Sequence, residues 1–371
     1  MAPASRARLS VDLDALAHNF HAIAAEAEGA EVAPVLKADG YGLGAGPVAR
    51  RLRREGARTF FVARLAEGEA LRAELGQGEA QIMVLDGFTP GAGERLAAFG
   101  LTPVLNGVGQ VSAAVAFAAS ARAPLPCALQ IDTGMNRQGL TLEQAAALAQ
   151  APDRLRGLDI GLVLSHLGSA TQPGHPRNAE QLAAFRRVRD LFPEARASLS
   201  SSAGAFLGAD YRFDMVRPGI SLFGGGPEER PDPRLRAVAT LEAPILDIRR
   251  LAPGDPVGYG VSIRAEHATR VAVVGAGYAD GVIRAARRSG KAWAAGAHRR
   301  IYIVDMDLTV VEIDDADLHP GDMVELLGPT PCWTIWPPRP APSPTSAWCG
   351  SVPAPSGSMW NAPSPPSERP Q

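Results

Sequence analysis

The sequence predicts an α/β protein: an N-terminal (β/α)8 TIM-type barrel followed by a mainly β domain. Three observations carry this. Short apolar runs alternate with alanine-rich helical stretches at 32–36, 60–63, 81–85, 102–105, 127–131, 161–165, 197–200 and 214–216. Eight such runs over roughly 200 residues make the repeat of a (β/α)8 barrel. After Gly226 the texture changes to alternating, valine-rich runs at 241–248, 270–274, 300–304 and 309–313, broken by glycine and Pro-Gly turns, which reads as an all-β domain. Finally, the residues able to carry chemistry (Lys37, Arg137, His166, Ser202 and Arg217) fall at the C-terminal ends of the barrel runs, where barrel enzymes keep their active sites.

In chain order, Leu9-Ser-Val-Asp-Leu reads as a short strand. Asp12 is placed to cap a helix whose apolar positions Leu13, Leu16, Ala17, Phe20, Ile23 and Ala24 have helical spacing. The barrel repeat follows. Pro227-Glu-Glu-Arg-Pro-Asp-Pro reads as a linker. The expected division is a barrel over 1–234, a β domain over 235–328 and a proline- and tryptophan-rich segment over 329–371.

Composition narrows the function. A chain of 371 residues with 46% hydrophobic and 20% charged content has enough apolar material for a sizeable core. The formal charge of −2 gives nucleic acid no electrostatic footprint. The N-terminal arginines are followed by Asp12 and Asp14 rather than an apolar stretch, so no signal peptide is expected. Nor is a membrane span. Cys127, Cys332 and Cys349 have no metal-ligand spacing and are odd in number, so neither a zinc site nor a disulfide framework is implied. The expected location is the cytoplasm.

Lys37 stands out. Lys37 and Lys291 are the chain's two lysines among 37 Lys plus Arg. Nearly every positive charge is therefore written as arginine, which cannot be deprotonated to serve as an amine nucleophile. A lysine kept at the end of a core strand, just before the glycines of Lys37-Ala-Asp-Gly-Tyr41-Gly-Leu-Gly, suggests a need for an amine.

This run resembles the cofactor-lysine motif of the alanine racemase family. The resemblance implies pyridoxal 5′-phosphate (PLP) on Lys37, with Tyr41 near the cofactor phosphate; Asp39 and Leu43 depart from the usual Asn and His. Asp132-Thr-Gly-Met-Asn-Arg137 is similar to a second family motif and implies Arg137 on the PLP phenolate oxygen and near the substrate. Gln130 stands where many members have a modified lysine orienting that arginine. A neutral amide can accept one hydrogen bond from Arg137 but brings no charge, so the arginine is expected to be less firmly held. Ser165-His166-Leu-Gly places His166 beside the cofactor by the same resemblance. Ser200-Ser-Ser-Ala-Gly resembles the family's Asn-Ser-Ala site, with Ser201 in the usual Asn position, and the resemblance implies Ser202 as a phosphate ligand. Val216-Arg217-Pro-Gly219-Ile220 implies Arg217 on the pyridine nitrogen and backbone donors from Gly219 and Ile220 on the phosphate.

Arg217 bears on the reaction type. An acidic partner would protonate the pyridine nitrogen and make the ring a strong electron sink. An arginine, with a pKa above about 12, leaves it largely unprotonated, which suits simple proton removal and return. Racemisation needs a base on each face of the amino acid. Lys37 supplies one; Val257-Gly-Tyr259-Gly-Val-Ser resembles the family's second-base motif and implies Tyr259 as the other, delivered by a partner subunit, hence a homodimer. A tyrosine of pKa about 10 needs nearby cations for this, and His166 and Arg217 are the candidates. Gly277-Tyr278-Ala-Asp-Gly281 places Tyr278 at the site's edge. In Asp305-Met306-Asp307 the resemblance makes Met306 a donor to the substrate carboxylate, while Ile303 replaces a usual arginine of the access channel.

The resemblance spans roughly residues 9–328. The expected activity is interconversion of L- and D-alanine, supplying D-alanine for peptidoglycan. The alternatives are a PLP-dependent amino-acid decarboxylase of the same architecture, against which Arg217 and Tyr259 speak, or a PLP-binding but inactive product. The last follows from the C-terminal composition: thirteen of the 32 prolines and four of the five tryptophans lie in 329–371. Tryptophan is scarce in ordinary disordered tails. Starting each codon one base earlier allows a reading with an amphipathic helix and a tyrosine resembling the family's C-terminus, so this stretch reads as translated out of frame.

Overall fold

A computed structural model describes residues 6–329 apart from 79, 260–262, 289 and 315. The out-of-frame reading of the C-terminal segment therefore lies outside the described residues, Pro329 excepted. The chain opens with β1 (Arg8–Val11) and α1 (Leu13–Glu26). Asp12 caps the helix as expected: its Oδ1 accepts from Asp14 N and Ala15 N at 2.8 and 2.9 Å, satisfying two N–H groups that have no partner within the helix. Leu16, Phe20 and Ile23, one helical face, are buried.

The barrel then alternates strand and helix. Its elements are β2 (Glu31–Val32), α2 (Ala45–Arg54), β3 (Thr59–Val62), α3 (Leu65–Leu75), β4 (Gln81–Val84), α4 (Gly93–Ala98), β5 (Leu101–Leu105), α5 (Val108–Ala121), β6 (Leu125–Gln130), α6 (Leu142–Ala149), β7 (Leu158–Leu164), α7 (Pro176–Leu191), β8 (Arg196–Ser198) and β9 (Met215–Val216). Strands β3 to β8 form a parallel sheet in chain order, and β2 pairs with β9. Bridges Val35↔Phe61 and Ser201↔Arg217 join the two sheets, so the eight strands run round in sequence. Each predicted run contributes a strand. Val35, Phe61, Met83, Val104, Ala128, Leu162, Leu164 and Met215 point inward as one buried cluster that floors the site. The first strand is shorter than its apolar run. Pro34 has no N–H to donate, and past Val32 the chain holds to β3 through Phe61 N to Pro34 O and Leu36 N to Phe61 O, at 2.8 and 2.7 Å.

Beyond the linker come β10 (Ala239–Leu251), β11 (Thr269–Val274), β12 (Lys291–Ala294), β13 (Ala297–Val304), β14 (Thr309–Glu312) and β15 (Met323–Leu327). They form one antiparallel sheet ordered β1-β10-β11-β14-β13-β12-β15, with β10 also pairing β15 so that the sheet curls back on itself. Strand β1 therefore belongs to the second sheet. The division at 234/235 expected from the sequence groups it with the barrel, because pattern alone shows that Arg8–Val11 is a strand but not which edge it will join. It pairs Arg8 with Glu242 through Val11 with Ala239.

Candidate active site

The loop after β2 has the longest run of left-handed backbone among the described residues. Ala38, Asp39, Gly40 and Tyr41 follow Lys37 at φ of +52°, +51°, +64° and +60°, a left-handed turn. Only Gly40 is free of the Cβ penalty; the other three cost about 1 kcal/mol each. Local bonds offset this: Gly42 N to Ala38 O at 2.8 Å, Gly44 N to Asp39 O at 2.9 Å, and Ala45 N to Asp39 Oδ1 at 2.8 Å. Asp39 thus serves as a turn acceptor, a role that Asn could also fill. The turn sends the Lys37 and Tyr41 side chains into the mouth of the barrel.

There they line a cavity of about 440 Å³ together with Arg137, His166, Ser202, Arg217, Gly219 and Ile220. All eight barrel residues expected at the site from the sequence meet in this one space, which is of the size typical of small-molecule sites. The Tyr41 hydroxyl lies against Gly219 so closely that a Cβ there would stand 2.0 Å from it, and the Tyr41 ring packs on Phe223 with centroids 5.0 Å apart. Ser202 Oγ accepts from Gly219 N at 2.9 Å and Ser221 N at 3.2 Å. The Gly219 N–H, expected on the phosphate, is therefore turned to Ser202. The Ile220 N–H has no acceptor among the described residues. The result is a small cradle of two hydroxyls and an open backbone donor, with no room for a side chain at Gly219.

Arg217 is fully engaged on one side. It donates through Nη1 to Ser198 O at 2.9 Å and to Ser198 Oγ, and through Nη2 to Ser165 O at 2.5 Å. Three of its five N–H groups are used on neutral acceptors, which leaves the rest for the cavity. Burial pushes its pKa down to about 9, so it remains charged at neutral pH. His166 is pushed down to about 3, first by desolvation and then by Arg217, Arg137 and Lys37. It is neutral at pH 7, so it does not supply the positive charge expected of it beside a basic tyrosine; the cations here are Arg217, Arg137 and Lys37. Nor does Gln130 hold Arg137: its Nε2 donates to Gln138 O at 3.2 Å, and Arg137 makes no hydrogen bond or ion pair among the described residues. Exposed Glu229, on the linker, is the only carboxylate among the lining residues.

Three cations, set against one exposed carboxylate and otherwise neutral walls, favour an anionic ligand. PLP, with a phosphate dianion and a phenolate, is such a ligand. The hydroxyl cradle suits the phosphate, the spare Arg217 donors suit a pyridine nitrogen, and the amine of Lys37 suits the aldehyde.

Two side chains that sequence reasoning did not single out hold this site. Glu67 Oε1 accepts from Ala38 N at 2.9 Å, while Oε2 accepts from Ala63 N and Arg64 N at 2.8 and 3.1 Å. Gln181, buried in α7, donates to His166 O at 2.9 Å and accepts from Gly168 N at 2.8 Å. A glutamate in the first turn of a helix that follows a strand end was the available signal for the first; a lone helical glutamine gives none.

The β-domain residues stand apart. Tyr259, Tyr278 and Met306 are 90%, 43% and 60% exposed, and none lines the cavity. Their loops are tied together: Tyr278 N donates to Asp305 O at 2.9 Å and Ala279 N to Met306 O at 2.8 Å, and Gly258 packs against Ile303. Ile303 is thus a buried brace for the Tyr259 loop.

A barrel-plus-β chain with a lysine on a left-handed turn above an anion-seeking cavity is a PLP-dependent enzyme in its fold and donor set. Comparison with known proteins narrows this. The family model for the alanine racemase N-terminal domain matches residues 11–227, and that for the C-terminal domain matches 238–335. The catabolic alanine racemase of Mesorhizobium japonicum is 41% identical over 332 residues, covering 88% of this chain and 86% of the relative. An alanine racemase of Methylobacterium sp. is 44% identical over 313 residues, covering 84% and 85%. The crystal structure of alanine racemase from Bartonella henselae, with covalently bound pyridoxal phosphate, superposes with a TM-score of 0.82 at 35% identity, covering 88% of this chain and 91% of that one. The chain belongs to the alanine racemase family, whose members are PLP-dependent isomerases acting on alanine. The decarboxylase alternative is not favoured.

Proposed function

We propose that this chain interconverts L- and D-alanine by two-base proton transfer. Lys37 serves one face of the bound amino acid and the partner subunit's Tyr259 the other, in a homodimer with shared sites. The observation that carries this is the division just described. The cavity gathers a lysine, two arginines and a cradle of hydroxyls with Glu229 exposed at its linker side, while an exposed tyrosine sits on the other domain. PLP, when bound, withdraws electrons from the substrate Cα and so acidifies its proton. Lys37 would hold the cofactor through its amine and, once displaced by substrate, remove or return that proton at Nζ. Arg137 would bind the phenolate and lie near the substrate carboxylate, with Met306 of the partner subunit. Tyr41, Ser202 and the Gly219–Ile220 segment would hold the phosphate; Arg217 would donate to the pyridine nitrogen and limit competing chemistry; His166 would pack beside the ring. The Tyr259 hydroxyl would carry the proton on the opposite face.

The product D-alanine suits cell-wall synthesis in the cytoplasm, and among the described residues no helix is long and apolar enough to cross a membrane. The test is to incubate each alanine enantiomer with the protein and PLP in deuterated water. Deuterium at Cα with loss of chirality supports the proposal; release of CO2 or retention of both chirality and Cα protium contradicts it.

A further inference from the structure

We propose that Glu67 is a positioning residue for Lys37, a role that rests on the reading of Lys37 as the cofactor lysine. Glu67 lies in the first turn of α3, outside the cavity. Its carboxylate nevertheless spans two strand ends: Oε1 takes the N–H of Ala38, the residue directly after Lys37, and Oε2 takes the N–H groups of Ala63 and Arg64 just beyond β3. The Ala38 N–H lies in the peptide plane that begins at the Lys37 carbonyl, so fixing it fixes the plane on one side of the Lys37 Cα. That plane starts a left-handed run with three non-glycine residues, a conformation that persists only where surrounding contacts over-determine it. Asp39 secures the far end of the run through Ala45 N. Glu67 secures the end that carries the lysine, and ties it to β3, the neighbouring strand of the barrel.

The chemistry requires a carboxylate. Its two oxygens serve three donors on two separate segments. A glutamine has one acceptor oxygen and would present its NH2 group to the N–H groups at the other end. It could hold Ala38 or the start of α3, but not both. Because Lys37 must reach both the cofactor and the substrate Cα, a loosened turn changes the geometry of proton transfer without removing any group that binds alanine. A misplacement of about 1 Å can cost on the order of 10²-fold in rate.

The test uses the full chain with Glu67→Gln and Glu67→Ala, beside Thr141→Ala, which removes the helix cap that Thr141 provides to Gln144 N on α6, a different helix. Amide hydrogen exchange is followed separately over 37–42 and 65–75, and kcat and KM are measured per cofactor-loaded site. The expected result for Glu67→Gln is exchange over 37–42 faster by about tenfold, with kcat per loaded site lower by about 10- to 100-fold and KM for alanine within about twofold. Glu67→Ala should do the same more strongly. Thr141→Ala should lower thermal stability and leave both readouts unchanged. The proposal is overturned if Glu67→Gln alters exchange only in 65–75 and its loaded sites turn over like wild type, for then Glu67 merely caps α3. If wild type does not racemise alanine, the reading of the site fails instead, and the exchange contrast still decides whether Glu67 holds the lysine turn.

Discussion

The barrel mouth and the face of the β domain that bears Tyr259 are built on opposite principles. In the mouth, Arg217 is 4% exposed and held by Ser198 and Ser165, and the Lys37 turn carries strain that neighbouring acceptors offset. On the β domain, Tyr259 is 90% exposed and Met306 60%, large side chains facing solvent. On the proposed reading, a single protomer supplies the cofactor cradle and half of the catalytic pair. On that reading, the fixed charges are organised within one chain, while the group proposed to approach the substrate from the other side faces outward, where a second chain would receive it. Substitutions in the two regions should fail differently.

The largest effect belongs to the mouth. Lys37→Arg keeps the charge and loses the nucleophilic amine. Racemisation should fall by at least about 10³-fold, and no visible absorbance that borohydride abolishes should appear with PLP. Persistence of such absorbance would remove Lys37 from its role. Next, Tyr259→Phe should leave folding within about 0.5 kcal/mol, as for an exposed site. It should slow Cα proton exchange from one enantiomer by about 10²-fold and from the other much less. Equal, mild losses from both would take Tyr259 out of the base role.

A smaller effect distinguishes the regions by pH. Unfolded, His166 takes up a proton below about 6.5; folded, it does so only near about 3. Between those values the unfolded chain binds more protons, so this contribution to stability is full above about 6.5 and is lost as pH falls, by up to about 1.4 kcal/mol per unit. His166→Asn should flatten that acid limb relative to wild type in urea unfolding at pH 7 and pH 5. An unchanged limb would show that the imidazole is not held neutral.

The sequence disclosed the site unevenly, for physical reasons. The barrel was legible because buried parallel strands read as continuous apolar runs at a regular interval, and the Lys37, Arg137, His166 and Arg217 positions follow from where those runs stop. β12 and β15 went unread: Lys291-Ala-Trp-Ala and Met323-Val-Glu-Leu-Leu are too short and mixed to show a period. The allegiance of β1 depends on which strand edge stands open, which no local pattern records. The expected charge on His166 is changed by the packed structure, since a desolvated imidazole is a tertiary fact, while the loose hold on Arg137 expected from Gln130 agrees with an arginine that bonds nothing among the described residues. Glu67 and Gln181 were invisible because a polar residue on an amphipathic helix looks the same whether it meets water or a backbone amide.

The shared site can be tested with two inactive proteins. Lys37→Ala lacks the first base and Tyr259→Phe the second. In a symmetric dimer each mixed pair holds one site with both groups intact. Co-refolded or co-expressed in equal amounts, the two variants should regain about a quarter of wild-type racemase activity, because half of the dimers are mixed and each has one working site. A mixture no more active than its parents would contradict the claim that Lys37 and Tyr259 meet across two chains.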